Sequence, residues 1–66
     1  MELGKRVKRL RLEKDLTQHE LAEKVFVSRG LISQIEAGVK TPAVGVLAVI
    51  AEVLGTTTDY LIRGDA

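Results

Sequence analysis

The chain has no cysteine and no tryptophan, and it has one histidine and one proline among its 66 residues. Without cysteine there is no disulfide framework, and a single histidine cannot supply the Cys/His ligand cluster that structural zinc needs, so no metal or cofactor is expected. A reducing, cytoplasmic setting fits such a composition. Aromatic residues are scarce at 3%, whereas apolar residues reach 45%, so the interior has to be built from aliphatic side chains. The longest apolar run, Val46 to Ala51, is far too short to span a bilayer, and no leader pattern opens the chain; no membrane association is expected. Strand-type alternation, internal repeats and linker-like stretches are also missing, which leaves one all-α domain over residues 1–66.

Catalysis is not expected either, because it requires grouped nucleophiles, bases or metal ligands. The one histidine, His19, falls on the outer face of a helix, where solvation is its expected state. Nothing in the pattern points to a small-molecule ligand.

What is present is uneven charge. The formal net charge is only +1, yet residues 1–15 hold six bases (Lys5, Arg6, Lys8, Arg9, Arg11, Lys14) against three acids, and the remainder is net acidic. Taken alone, these bases read equally well as a solvated helix face or as a nucleic-acid contact.

Apolar periodicity divides the chain into five short helices. Leu3, Val7 and Leu10 form a stripe that predicts a first helix over about residues 2–14, closed by Asp15. Thr17-Gln18-His19-Glu20 has the form of a capping box and starts a second helix with Leu21, Ala22 and Val25 inward. Ser28 caps a third helix of about ten residues, with Leu31, Ile32 and Ile35 inward and Gly38 beyond its end. Thr41-Pro42 reads as a cap followed by proline at the first helical position, predicting a fourth helix over residues 42–54 that ends at Gly55. Thr57 caps a short fifth helix over residues 58–62, anchored inward by Leu61, and fraying is expected from Arg63 onward.

Two short helices joined at Phe26-Val27 match the layout in which the second helix lies in a DNA major groove. With Leu31, Ile32 and Ile35 turned inward, Arg29, Gly30, Ser33, Gln34 and Ala37 face outward. Arg29 can donate two hydrogen bonds to guanine, Gln34 can make two with adenine, and Ser33 suits a base or a phosphate. Gly30 would allow close approach to the groove, or it reflects sequence drift alone. Leu31 fits packing against the second helix better than contact with a thymine methyl. Gln18, at the start of the second helix, and Lys40 are placed to meet phosphates.

Thr17-Gln18-His19-Glu20-Leu21-Ala22, Val27-Ser28-Arg29, Ile32-Ser33-Gln34-Ile35-Glu36 and Ala37-Gly38 together resemble the phage-repressor family of helix-turn-helix proteins (Xre type). The resemblance runs from Leu3-Gly4 through Thr41-Pro42 and Gly55 to Asp59-Tyr60-Leu61-Ile62. It implies a compact five-helix fold and DNA contacts at Gln18, Ser28, Arg29, Gly30, Ser33 and Gln34. It also implies an architectural ion pair between Arg11 and Glu36. Phe26 departs from the pattern, because the family usually has glycine there, often with positive φ. Either the turn takes another conformation or Phe26 recovers the strain by packing, and packing is the expectation here.

On the fourth helix Val44, Leu47, Ile50, Ala51 and Leu54 face inward, and Val46, Val49 and Val53 form a second stripe beside them. With Tyr60, that second stripe is the expected homodimer interface of a regulator that reads a palindrome. The competing reading has the last helix fold over these valines through Tyr60 and Leu61. The resulting expectation is a double-stranded-DNA-binding transcriptional regulator, a repressor, controlled by its concentration and dimerisation. An antitoxin or adaptor module on the same fold is the alternative, and it would be indifferent to alanine at Arg29, Ser33 and Gln34.

Overall fold

A computed structural model describes residues 2–64, which form five helices: α1 (Glu2–Glu13), α2 (Gln18–Val25), α3 (Arg29–Glu36), α4 (Val44–Leu54) and α5 (Thr58–Arg63). No strand occurs among the described residues, and no helix among them is long and apolar enough to cross a membrane. Against the fraying expected from Arg63 onward, Arg63 is the last residue of α5 and Gly64 is its C-cap, with its N–H on the Tyr60 carbonyl at 2.7 Å; Asp65 and Ala66 lie outside the described residues.

Local chemistry sets most of the boundaries. In the capping box at α2, the Thr17 hydroxyl accepts from the Glu20 N–H at 3.0 Å and the Glu20 carboxylate accepts from the Thr17 N–H at 2.9 Å. That second bond, reinforced by the Thr17 side chain, holds the Glu20 carboxyl below its usual range. Ser28 and Thr57 cap α3 and α5 in the same way, accepting from the N–H groups of Leu31 and Tyr60. Gly55 closes α4 with φ of 70°, a left-handed geometry that costs glycine little.

Three boundary or packing expectations are corrected. Helix α4 begins at Val44 rather than Pro42, and its N-cap is Ala43, which has no side-chain oxygen to offer the first N–H groups. Pro42 is instead buried in the extended segment that leads into the helix. Val44, expected inside, is 84% exposed, because a helix that starts there has no preceding turn to carry its first residue under the core. Helix α3 has 8 residues rather than ten: Ala37 is its C-cap, and Gly38 turns the chain with φ of 78°.

The fully buried side chains Val7, Leu21, Ile32, Ile35, Ile50 and Leu61 come from all five helices, and none is aromatic. Helix α1 packs on α3, α4 and α5, while α2 packs on α3 and α4. The recognition-type pair α2–α3 is thereby backed by α1 on one side and α4 on the other. Leu31 is half-buried and packs against this core, in keeping with a packing role.

Candidate nucleic-acid interface

Helix α3 divides cleanly into two faces. Ile32 and Ile35 have no exposure at all, whereas Arg29, Gly30, Ser33, Gln34 and Ala37 are exposed. A period of 3.6 residues puts the apolar pair beneath the helix and leaves the donors and acceptors above it. No residue of the described chain covers that outer face closely at Gly30, where a methyl group would meet nothing nearer than the Ser28 hydroxyl at 4.0 Å. The missing side chain is therefore not a requirement of the fold.

Beneath this face lies a buried ion pair. Arg11 Nε donates to Glu36 Oε2 at 2.7 Å and Arg11 Nη2 to Glu36 Oε1 at 3.0 Å, with side-chain exposures of 8% and 4%. The remaining guanidinium nitrogen, Nη1, donates to the Leu16 carbonyl at 2.7 Å, so one side chain ties α1 to both the α1–α2 turn and the end of α3. Gln18 Nε2 donates to the same Glu36 Oε1 at 3.1 Å, adding α2 to the cluster. No buried side-chain nitrogen or oxygen among the described residues is left without a partner. This cluster locks the end of α3 from two other helices, which is the condition for a bidentate pair to hold geometry rather than lose energy to desolvation.

Other sites named from the sequence are distributed as follows. Gln18 is half-buried with its amide N–H donated to Glu36, and its neighbours Thr17 and His19 at the α2 N-terminus are exposed. The Ser28 hydroxyl accepts the Leu31 N–H and keeps its own proton to donate outward. Lys40 is exposed and follows a tight turn in which the N–H groups of Val39 and Lys40 both reach the Gln34 carbonyl. The valines Val46, Val49 and Val53 are half-buried against the core, and Tyr60 is half-buried with its hydroxyl accepting from Arg9.

The N-terminal arginines are clamps within the fold. Arg6 donates to the Leu61 and Ile62 carbonyls at 3.0 and 3.2 Å, capping α5. Arg9 pairs with Glu13 at 2.8 Å and lies 5.7 Å from the centre of the Tyr60 ring. Only their partners distinguish these bases from a solvated face, and those partners come from distant parts of the chain.

Phe26 overturns the packing expectation. It adopts the left-handed conformation with φ of 65° and ψ of 41°, and its residue surface is 90% exposed. Its N–H still bonds back into the last turn of α2, and the Val27 N–H reaches the Ala22 carbonyl at 3.0 Å. The turn keeps a glycine's backbone while carrying a phenylalanine that the described residues leave almost wholly in solvent.

Comparison with known proteins agrees with this geometry. The pattern of the family described as Helix-turn-helix matches residues 7–61. The chain is 38% identical over 65 residues to the HTH-type transcriptional activator BcrR of Enterococcus faecalis, covering 98% of this chain and 32% of that protein. It is 36% identical over 62 residues to the immunity repressor protein of Bacillus phage phi105, covering 94% of this chain and 43% of that one. It thus spans less than half the length of both relatives. The crystal structure of the P22 c2 repressor with a synthetic operator superposes with a TM-score of 0.95 at 31% identity over 98% of each chain. A likeness that runs through the helix pair and its supporting helices alike carries the assignment: this chain belongs to the phage-repressor-like, Xre-type helix-turn-helix family.

Proposed function

We propose that this chain is a sequence-specific regulator of transcription that binds double-stranded DNA by laying α3 in the major groove, acting in the cytoplasm as a homodimeric repressor on a palindromic operator. The observation that carries the reading is the division of α3: a fully buried apolar face beneath an exposed row of Arg29, Ser33 and Gln34, with Glu36 gripped from α1 and α2. Base edges supply the complementary donors and acceptors, with guanine suited to Arg29 and adenine to Gln34. Lys40, the Ser28 hydroxyl and the start of α2 at Gln18 flank that row and suit phosphate oxygens. The similarity to a repressor determined on its operator supports the same direction.

A palindrome requires two copies of α3 related by twofold symmetry, about 34 Å apart on half-sites separated by about 10 base pairs. Val46, Val49, Val53 and Tyr60 keep part of their surface free of their own chain and supply the apolar strip proposed to meet a second copy. His19 is exposed on α2, with the Glu23 carboxylate 3.5 Å away.

Selection of bound sequences from random duplexes at a stated salt concentration tests the whole reading. A palindromic motif with spacing near one helical turn is expected, bound by two copies in sedimentation analysis. Recovery of no enriched motif would remove the proposal, and an asymmetric motif bound by one copy would remove its dimeric part. A Val49→Asp variant is expected to shift the sedimentation of the complex to a single copy.

A further inference from the structure

Glycine is the poorest helix former after proline, yet Gly4 sits inside α1 with ordinary helical geometry, where alanine would be preferred. Its backbone does not require glycine; its surroundings do. A Cβ at this position would lie 2.3 Å from the Ile35 carbonyl oxygen, 2.7 Å from the Glu36 carbonyl oxygen and 3.0 Å from the Glu36 carbonyl carbon. All three are backbone atoms of the last turn of α3, so no side-chain rotation relieves the contact. By contrast, a methyl at Gly45 would meet nothing within 4 Å.

The position of this contact gives it consequence. Gly4 and Arg11 are two helical turns apart on the same face of α1, and both act on the end of α3: Gly4 on its terminal carbonyls, Arg11 on the Glu36 carboxylate. The ion pair pulls α3 toward α1, and the bare Cα of Gly4 sets how near it comes. Helix α3 is a continuous hydrogen-bonded rod of only 8 residues, so a displacement of its last turn would carry to Arg29, Ser33 and Gln34. Recognition constellations tolerate displacements of roughly 0.5 Å before hydrogen-bond geometry degrades, less than the shift needed to relieve a carbonyl contact of 2.3 Å.

We propose that Gly4 is a positioning residue for base recognition: it fixes the depth at which α3 sits against α1 and thereby the placement of its outward side chains. This inference rests on the reading of α3 as the DNA-reading helix.

The test is Gly4→Ala, measured against the duplex selected by the wild-type chain and against an unrelated duplex, with each affinity corrected for the folded fraction. The ratio of specific to non-specific affinity is expected to fall by about tenfold or more, the scale of one lost bidentate base contact, while non-specific binding changes by less than about twofold. The α3 backbone amides of free Gly4→Ala protein are expected to shift in heteronuclear NMR spectra, while those of α5 stay in place. If too little variant folds, the same measurements are made with Phe26→Gly added, which relieves strain elsewhere in the chain. An unchanged affinity ratio, or a loss equal for both duplexes, would overturn the proposal. Should the wild-type chain prefer no duplex, the reading of α3 fails instead; the NMR shifts then decide the placement alone, and α3 amides that do not move overturn it.

Discussion

Arg11 and Glu36 are 25 residues apart in the chain and meet through two parallel hydrogen bonds of 2.7 and 3.0 Å in a nearly buried site. Because the partners sit on α1 and α3, the pair couples the outward helix to the rest of the domain. Removing one partner strands the other charge, so Arg11→Met or Glu36→Gln is expected to cost about 3–5 kcal/mol. That is comparable to the whole stability of a small domain, roughly 0.05–0.15 kcal/mol per residue. Urea denaturation should find each single variant largely unfolded and the Arg11→Met/Glu36→Leu double variant recovering part of the loss, because the Leu16 carbonyl and the Gln18 amide lose their partners as well. Single variants of wild-type stability would count against a structural role for the pair.

Phe26 holds a left-handed turn without burying its ring. Phe26→Gly should therefore stabilise the domain by about 1 kcal/mol, the lower end of the left-handed penalty for a side chain. For a domain of this size, that corresponds to a rise of roughly 4–8 °C in melting temperature. A fall in melting temperature would mean that the ring makes a contact in solution that offsets its strain.

The outward row separates by the kind of contact each member is placed to make. Arg29→Ala and Gln34→Ala should each cost about 1–3 kcal/mol on the selected duplex and relax preference at one base position. Lys40→Ala should instead weaken all duplexes alike and lower the slope of log affinity against log salt by about one. Titrations at several salt concentrations distinguish the two patterns.

Gly30 has open space where its side chain would be. Gly30→Ala should stabilise the free protein by roughly 1 kcal/mol through helix propensity. On the DNA-reading proposal, it should also weaken binding by crowding the groove. Increased stability with undiminished affinity would show that the glycine has no part in the interface.

The capping box at α2 gives stability a dependence on pH. The Glu20 carboxyl has a folded-state value below its unfolded one, first because it accepts the Thr17 N–H. Its contribution is complete above the unfolded value and is lost as pH falls through the folded value. Urea midpoints of wild type and Glu20→Gln should differ near neutrality and converge as the pH falls through the folded-state value of the carboxyl. Thr17→Ala, which removes the cap itself, should cost about 1 kcal/mol. A gap between wild type and Glu20→Gln that stays constant with pH would exclude the carboxylate as its source.

Local signals carried most of the helix architecture. Thr17, Ser28 and Thr57 cap helices because their hydroxyls stand directly before the first helical residue, and Gly55 closes α4 as its place in the pattern implies. The signal failed at Thr41-Pro42, because proline at a first helical position and proline in an extended lead-in satisfy the same local rules. Burial of Pro42 by the surrounding chain selected the second. The two faces of α3 were legible for the same reason as its cap: both follow from the backbone period and the next few residues.

Amino-acid order alone thus determined where most helices start and stop and which side of each is apolar, since hydrogen bonding and periodicity act over a few residues. Tertiary structure alone decided that Arg6 caps α5, that Gln18 shares Glu36 with Arg11, that Phe26 stays in solvent, and that Gly4 lies against the end of α3. These outcomes depend on distances between segments far apart in the chain, which come into being only when five aliphatic stripes close on one core.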